Sequence, residues 1–381
     1  MAENRKKYYL ETLGCAKNDV DSETIEAGLI SAGLQATDDA GSADLILVNS
    51  CGFINDAKVE SIDITLNLHN RRKKGSLLVL CGCLPARYNM DEMFREVDLF
   101  LPSDKHDQLV PYLSGIGWAE KFGGNDIQRL TPRSPYGYIK ISEGCDNRCS
   151  YCAIPNIKGP YKSRPIEDIV SEAEFLCDNS VRELVLIGQD TTMFGLDTEN
   201  GSALPELVDR LVGVQGLEWL RIMYAHPAHL TAEMIETMAS TDKLLNYIDL
   251  PLQHISDRIL RRMNRKTDKN KIIKLISRLR ESIPDIVLRT TFMVGFPGET
   301  DDEFKELLDF CEETRFDNIG LFVYSPEDGT PAFQFKGRID RNMAEERYLT
   351  LLDLQNKISK AKLDGIVGKS ENVMVQEVDT E

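Results

Sequence analysis

Short apolar runs alternate with amphipathic stretches through the first third of the chain. Tyr8 to Leu13, Asp44 to Asn49, Leu77 to Leu80 and Leu99 to Leu101 have the length and apolar density of buried strands. Helically spaced apolar positions fill the gaps, from about Asp21 to Leu34, with Asp21 or Ser22 placed to cap the first turn, and from about Asn55 to Arg72. This alternation predicts an open parallel sheet with helices on its faces. The pattern breaks between Gly115 and Pro135, where GIGW, FGGN and TPRSP crowd turn-forming residues together and read as a linker. A second series follows at Tyr138 to Ile141, Glu183 to Ile187, Trp219 to Met223, Tyr247 to Leu250, Ile286 to Val294 and Ile319 to Tyr324, with helical patterns between. Six such units predict a partial TIM-type (β/α)6 barrel, left open because closure takes about eight. A helix from about Arg341 to Leu363 ends the series.

The expected organisation is therefore an α/β chain: an N-terminal open parallel sheet domain at 1–114, a linker at 115–135 and a partial barrel at 136–365. Composition changes this little. With 381 residues, 42% hydrophobic and 28% charged, the chain reads as an ordinary globular protein of two domains. No apolar run approaches the roughly 18 residues that span a bilayer, and the charged opening MAENRKKYYLETLGC lacks the apolar core of an export signal. A cytoplasmic location without membrane attachment is expected. The net charge of −17 opposes broad contact with phosphate backbones. Against it stands the basic run Arg258, Arg261, Arg262, Arg265, Lys266, Lys269, Lys271 and Lys274, which reads as a solvated helical face.

Cysteine placement carries the chemistry. Seven of the nine cysteines fall in two zones, Cys15 to Cys83 and Cys145 to Cys152, while Cys177 and Cys311 lie in helical patterns as small core residues. Clustered thiols without an export signal point to metal or redox chemistry rather than disulfides. In EGCDNRCSYC, the spacing C-x3-C-x2-C of Cys145, Cys149 and Cys152 follows a strand end. Three thiolates can hold three corners of a 4Fe-4S cube and leave one iron open; a zinc knuckle completed by a distant ligand is the alternative. Cys15, Cys51 and Cys83 each sit just beyond a strand of one parallel sheet, beside Gly14, Gly52 and Gly82. Ligands of such sheets gather outside the carboxyl ends of the strands, so these thiols can converge on a second cluster; buried free cysteines are the plainer reading. Cys81 falls inside a strand and reads as packing. Further polar groups at strand ends are Gln189, Asp190, His226, Gln253, His254 and Arg289, the last a partner for a carboxylate, and Gly295 to Gly298 permit close backbone approach.

The motifs LGCAKNDVDSE, NSCGFINDAKVES, CGCLPARY and SEGCDNRCSYCAIPNIKGPYKSRP together resemble the radical S-adenosylmethionine methylthiotransferases over nearly the whole chain. The resemblance is strongest to the branch that modifies a ribosomal protein, at Ala16 to Val20, Asp21 to Glu23 and Ala153 to Arg164. It implies two 4Fe-4S clusters and S-adenosylmethionine, with a radical SAM barrel around Cys145, Cys149 and Cys152 and with sulfur held at Cys15, Cys51 and Cys83. Tyr151 of the cysteine motif, the strand-end groups Gln189, Asp190, His254 and Arg289, and Gly295 are the expected cofactor contacts. The expected reaction is methylthiolation of the β-carbon of an aspartate in small-subunit ribosomal protein S-twelve. One cofactor molecule methylates the sulfur, another yields the radical that removes the β-hydrogen, and a flavodoxin or ferredoxin type donor supplies electrons. The tRNA adenosine methylthiotransferases share the architecture, and a non-catalytic iron-sulfur protein is the reading from a different class. Family members also carry a C-terminal TRAM domain, of which residues 366–381 are expected to be the truncated start.

Overall fold

Leu45, Leu47 and Val79 face one way in their strands and Ile46, Val48, Leu78 and Leu80 the other, so two apolar layers must form. They do, in a computed structural model that describes residues 5–91, 94–119, 129–199 and 201–376. The chain divides into two compact units, Met1–Pro132 with Ala153–Pro160, and Arg133–Cys152 with Tyr161–Glu381. Segment Ala153–Pro160, expected with the barrel, packs with the N-terminal unit, because Ala153 and Ile157 bury their side chains against Cys83.

In the first unit, β1 (Lys7–Thr12), β2 (Gln35–Ala36), β3 (Leu45–Ser50), β4 (Leu77–Gly82) and β5 (Leu99–Pro102) form a parallel sheet in the order β2-β1-β3-β4-β5. Every residue of β3 is buried, as a central strand covered on both faces requires. Helix α1 (Ala16–Ser31) contributes Ile25 and Leu29 to one layer, and α2 (Asn55–Arg71) contributes Leu68 to the other. The short α3 (Cys83–Arg87) and α4 (Leu109–Gly115) follow β4 and β5.

The start of α1 corrects the expectation of a cap at Asp21 or Ser22. The helix begins at Ala16, with extended Cys15 in the cap position and its carbonyl accepting from the Asn18 N–H at 2.7 Å. The polar stretch that looked like a helix entrance points inward instead. Asn18 Nδ2 donates to the Leu13 carbonyl at 2.6 Å, and Ser22 Oγ accepts from Asn49 Nδ2 at 3.0 Å, so these side chains satisfy strand-end groups that water cannot reach.

In the second unit, β6 (Tyr136–Lys140) is followed by a two-residue antiparallel pairing of β7 (Ser142–Glu143) with β8 (Lys162–Ser163). Between β7 and β8 the chain forms α5 (Ile154–Lys158), which belongs to the first unit. Then β9 (Glu183–Ile187), β10 (Trp219–Ile222), β11 (Leu244–Asp249), β12 (Val287–Val294) and β13 (Asn318–Val323) complete a six-stranded parallel sheet in sequential order, with β6 and β13 at its two edges. Sequential parallel neighbours demand right-handed crossovers through helices. These are α6 (Ile166–Asp178), α7 (Leu204–Val212), α8 (Ala232–Ser240), α9 (Asp257–Arg262) with α10 (Lys269–Ser282), and α11 (Asp301–Thr314). Helix α12 (Arg341–Asp364) follows β13 and packs Leu351 into the same core. Cys177 and Cys311 are buried in that core, and Cys81 in the core of the first unit.

The basic run is not a single solvated face, because it spans two helices and the turn between them. Arg258 pairs with Glu303, Lys269 with Glu306 at 2.7 Å, Arg262 lies over the Phe335 ring at 4.9 Å, and Arg265 is buried. The tail expected to open a further domain forms no strand among its described residues, and 377–381 lie outside them, as do 120–128 of the expected linker. No helix among the described residues is long and apolar enough to cross a membrane.

Candidate active site

Register decides where the first set of thiols meets. Thr12 is level with Asn49, Asn49 with Cys81 and Ser50 with Gly82, so β1, β3 and β4 end together and Cys15, Cys51 and Cys83 emerge from one sheet edge. The turns that carry them are in contact. A Cβ on Gly14 would stand 3.0 Å from Cys51 Cβ and 3.3 Å from its Sγ, and one on Gly52 would stand 2.9 Å from the Leu84 backbone beside Cys83. Gly82 is the tightest position. Its φ of 95° is left-handed, and a Cβ there would stand 2.5 Å from Asn49 Oδ1 and 2.7 Å from the Ser50 carbonyl. Gly82→Ala is expected to cost about 2–4 kcal/mol through backbone strain and overpacking, read as a lower urea midpoint at unchanged m-value.

These thiols sense one another. Burial pushes Cys83 up to about 12, opposed by Lys158 and reinforced by Cys51 and Cys15. Cys51 is also raised, by burial first and by Cys15. Without a metal Cys51 and Cys83 are held as thiols, so loading a cluster must expel their protons.

The second set lies on the loop after β7. Cys145 and Cys149 are buried, and Cys152 is half-buried. The loop is fixed from several sides. Ser150 N–H and Oγ donate to the carbonyls of Met263 and Arg262 at 3.0 and 2.8 Å, Asn264 Nδ2 donates to the Arg148 carbonyl at 2.8 Å, and Ala332 N–H donates to the Ser150 carbonyl at 2.8 Å. Asn147 links the loop to the strand ends. Its Nδ2 lies 3.4 Å from Cys145 Sγ and 2.7 Å from Asp190 Oδ2. Tyr151 packs against Ile259, Met263 and Phe296, and burial keeps its phenol protonated.

Asp190 accepts four hydrogen bonds, from Asn147, from the Thr192 N–H and hydroxyl, and from His229 Nδ1 at 2.8 Å. Burial opposes its ionisation, but the hydrogen bonds from His229 and Thr192 outweigh that and hold the carboxylate below its ordinary range. His226 is driven down to about 2 by burial and by Arg265, so it stays neutral. Asp190, His226 and His229 bring three ligand atoms within 4.8 Å of one another, yet the oxygens of Asp190 are already committed to these donors. Its hydrogen bonds join the cysteine loop, through Asn147, to the His229 ring.

The other expected contacts are distributed differently. Gln189 Nε2 donates to Glu143 at 2.6 Å, and Arg289 pairs with buried Asp249, which also accepts the Tyr224 N–H at 3.2 Å. Tyr224 and Gln253, just past the ends of β10 and β11, have φ of 61° and 72°, uncommon for residues of this size. His254 is fully enclosed, its Nδ1 accepting the Ser256 N–H at 3.0 Å and its Nε2 lying 3.5 Å from Glu299. Glu299 in turn holds Arg347 of α12 at 3.2 Å. Gly295 has a packing reason for its identity, since a Cβ there would stand 2.6 Å from Ala344 Cβ. Four contributors were not read from the sequence: Asn147, Asp249, His229 and Arg265. Asn147 lies between cysteines of the motif and Asp249 ends an apolar strand, which are the signals that were available; Arg265 was masked by its basic neighbours.

Residues 139–311 match the family model described as the radical SAM superfamily, and residues 7–101 that of uncharacterized protein family UPF0004. The fold resembles two solved structures. The radical S-adenosylmethionine methyltransferase TsrM from Kitasatospora setae matches with a TM-score of 0.66 at 14% identity, over 93% of this chain and 89% of that one. The cobalamin-dependent S-adenosylmethionine radical enzyme OxsB matches with a TM-score of 0.58 at 12% identity, over 94% of this chain and 56% of that one. Parallel sheet, cysteine loop and family match together define a radical SAM enzyme. Among similar sequences, a protein of Natranaerobius thermophilus is 42% identical over 96% of this chain and 86% of its own length, and one of Clostridioides difficile 41% identical over 97% and 87%. Both are named ribosomal protein uS12 methylthiotransferase RimO, and this chain belongs to that family.

Proposed function

We propose that this chain adds a methylthio group to the β-carbon of an aspartate in ribosomal protein uS12, using two three-cysteine clusters with separate tasks. The observation that carries the reading is the meeting of Cys15, Cys51 and Cys83 at one sheet edge in a chain that also bears the C-x3-C-x2-C loop. Three thiolates per cluster leave one iron open in each. When bound, the clusters and S-adenosylmethionine supply hydrogen abstraction and a methylated sulfur atom.

The protein's own residues do the positioning. Cys145, Cys149 and Cys152 hold one cluster, and the Asn147 to Asp190 link sets the height of their loop against the strand ends. Gln189 just past β9, Tyr151 in the cysteine loop and Arg289, level with the end of β11, are the contacts offered to a cofactor bound there. Cys15, Cys51 and Cys83 hold the other cluster, with Gly14, Gly52 and Gly82 clearing the space. The acidic balance, −17 overall, favours a protein over a nucleic acid as the substrate. A flavodoxin or ferredoxin type donor in the cytoplasm completes the reading.

The test is mass spectrometry of uS12 and of tRNA nucleosides from cells lacking the protein and then regaining it. Return of a methylthio group on the uS12 aspartate is expected. Return of a methylthio group on tRNA alone would refute the assignment.

A further inference from the structure

Arg265 is a buried cation in need of an anion. Its residue is 8% exposed, and no carboxylate among the described residues lies within ion-pairing distance of it. Its Nη2 donates to the Pro251 carbonyl at 2.5 Å, its Nη1 points at Cys149 Sγ from 3.6 Å, and its Nε has no hydrogen-bond partner. The backbone delivers it there on purpose. Helix α9 ends with Asn264 in the left-handed conformation, φ 55°, and the Arg265 N–H returns to the Leu260 carbonyl at 2.9 Å. That turn swings Arg265 inward, while Asn264 and the carbonyls of Arg262 and Met263 grip the cysteine loop from the same short segment.

A lone buried guanidinium costs several kcal/mol unless a counter-charge is supplied. The acceptor that its Nη1 faces is the Cys149 sulfur, which carries negative charge once it ligates a cluster. We propose that Arg265 is a positioning and tuning residue for the cluster held by Cys145, Cys149 and Cys152, its charge and Nη1 hydrogen bond to Cys149 Sγ raising that cluster's reduction potential. This rests on the ligand assignment proposed above. Adding an electron makes the cluster more negative, so a fixed cation at a ligand sulfur stabilises the reduced form more than the oxidised one. Its removal shifts the midpoint to more negative values.

The test uses the full chain with Cys15, Cys51 and Cys83 replaced by alanine, so that one cluster remains, reconstituted anaerobically and titrated with dithionite under electron paramagnetic resonance. About four irons per chain are expected. Arg265→Met should move the midpoint clearly negative, and Arg265→Lys, which keeps the charge without the fork, should move it less. Midpoints equal to the parent's in variants that hold their iron would overturn the inference and leave the ligand assignment standing. Absence of iron from the parent would remove the assignment and the inference together. If Arg265→Met fails to hold iron, Arg265→Lys decides: a negative shift supports tuning, and an unchanged midpoint overturns it. A merely structural Arg265 would alter folding or loading without moving the potential.

Discussion

Cys149→Ala is expected to suppress formation of 5′-deoxyadenosine from S-adenosylmethionine by more than about a thousandfold while the other cluster stays in place. Cys149 is buried in a loop held by Ser150, Asn264 and Ala332, and alanine removes one of the three proposed ligands without disturbing those hydrogen bonds. Two thiolates cannot fix a cube in one orientation, so the open iron loses its place relative to the strand ends. Iron analysis should fall from about eight per chain to about four, and the nucleoside product should vanish from chromatograms of the reduced enzyme. Retained 5′-deoxyadenosine in Cys149→Ala would place the radical chemistry elsewhere.

Cys83→Ala is expected to do the converse. The radical half keeps its three ligands, so 5′-deoxyadenosine still forms, but methylthiolated uS12 drops by more than about a thousandfold because sulfur has no stable seat. Cys83 opens α3 directly after left-handed Gly82, and its side chain packs on Ala153 and Ile157, so the substitution deletes a ligand inside otherwise intact packing. Comparing the two products in one reaction separates the tasks. Loss of both products in Cys83→Ala, with the fold intact by circular dichroism, would contradict a division of labour.

Much of this was legible because the decisive signals are local. An apolar run that ends in Gly-Cys, as at Gly14-Cys15, or in Gly82-Cys83, announces both a strand end and a thiol at it, and the observed strands begin and end within a few residues of the expected ones. What the sequence concealed depends on contacts between distant segments. The polar stretch after Cys15 resembled a helix entrance because nothing local reveals that Asn18 and Ser22 face buried strand ends. Arg265 sat in a run of cations and was averaged with them; only the left-handed turn at Asn264 separates it from the exposed face. Asp190 was legible as a strand-end carboxylate, while its hydrogen bonds with Asn147 and His229 depend on segments distant in sequence. His254 followed the same logic of strand-end polarity, and its enclosure with Glu299 and Arg347 ties α12 to the barrel segment before α11.

The central claim is that a radical generated at one three-cysteine cluster removes a β-hydrogen from a protein aspartate that then receives the methylthio group. The most direct measurement is a single-turnover reaction of the reconstituted enzyme with uS12 carrying deuterium on the β-carbon of its aspartate, followed by mass spectrometry of both products. Deuterium appearing in 5′-deoxyadenosine in step with methylthiolated uS12 is the predicted result. Methylthiolated uS12 formed with no deuterium in the nucleoside would contradict it.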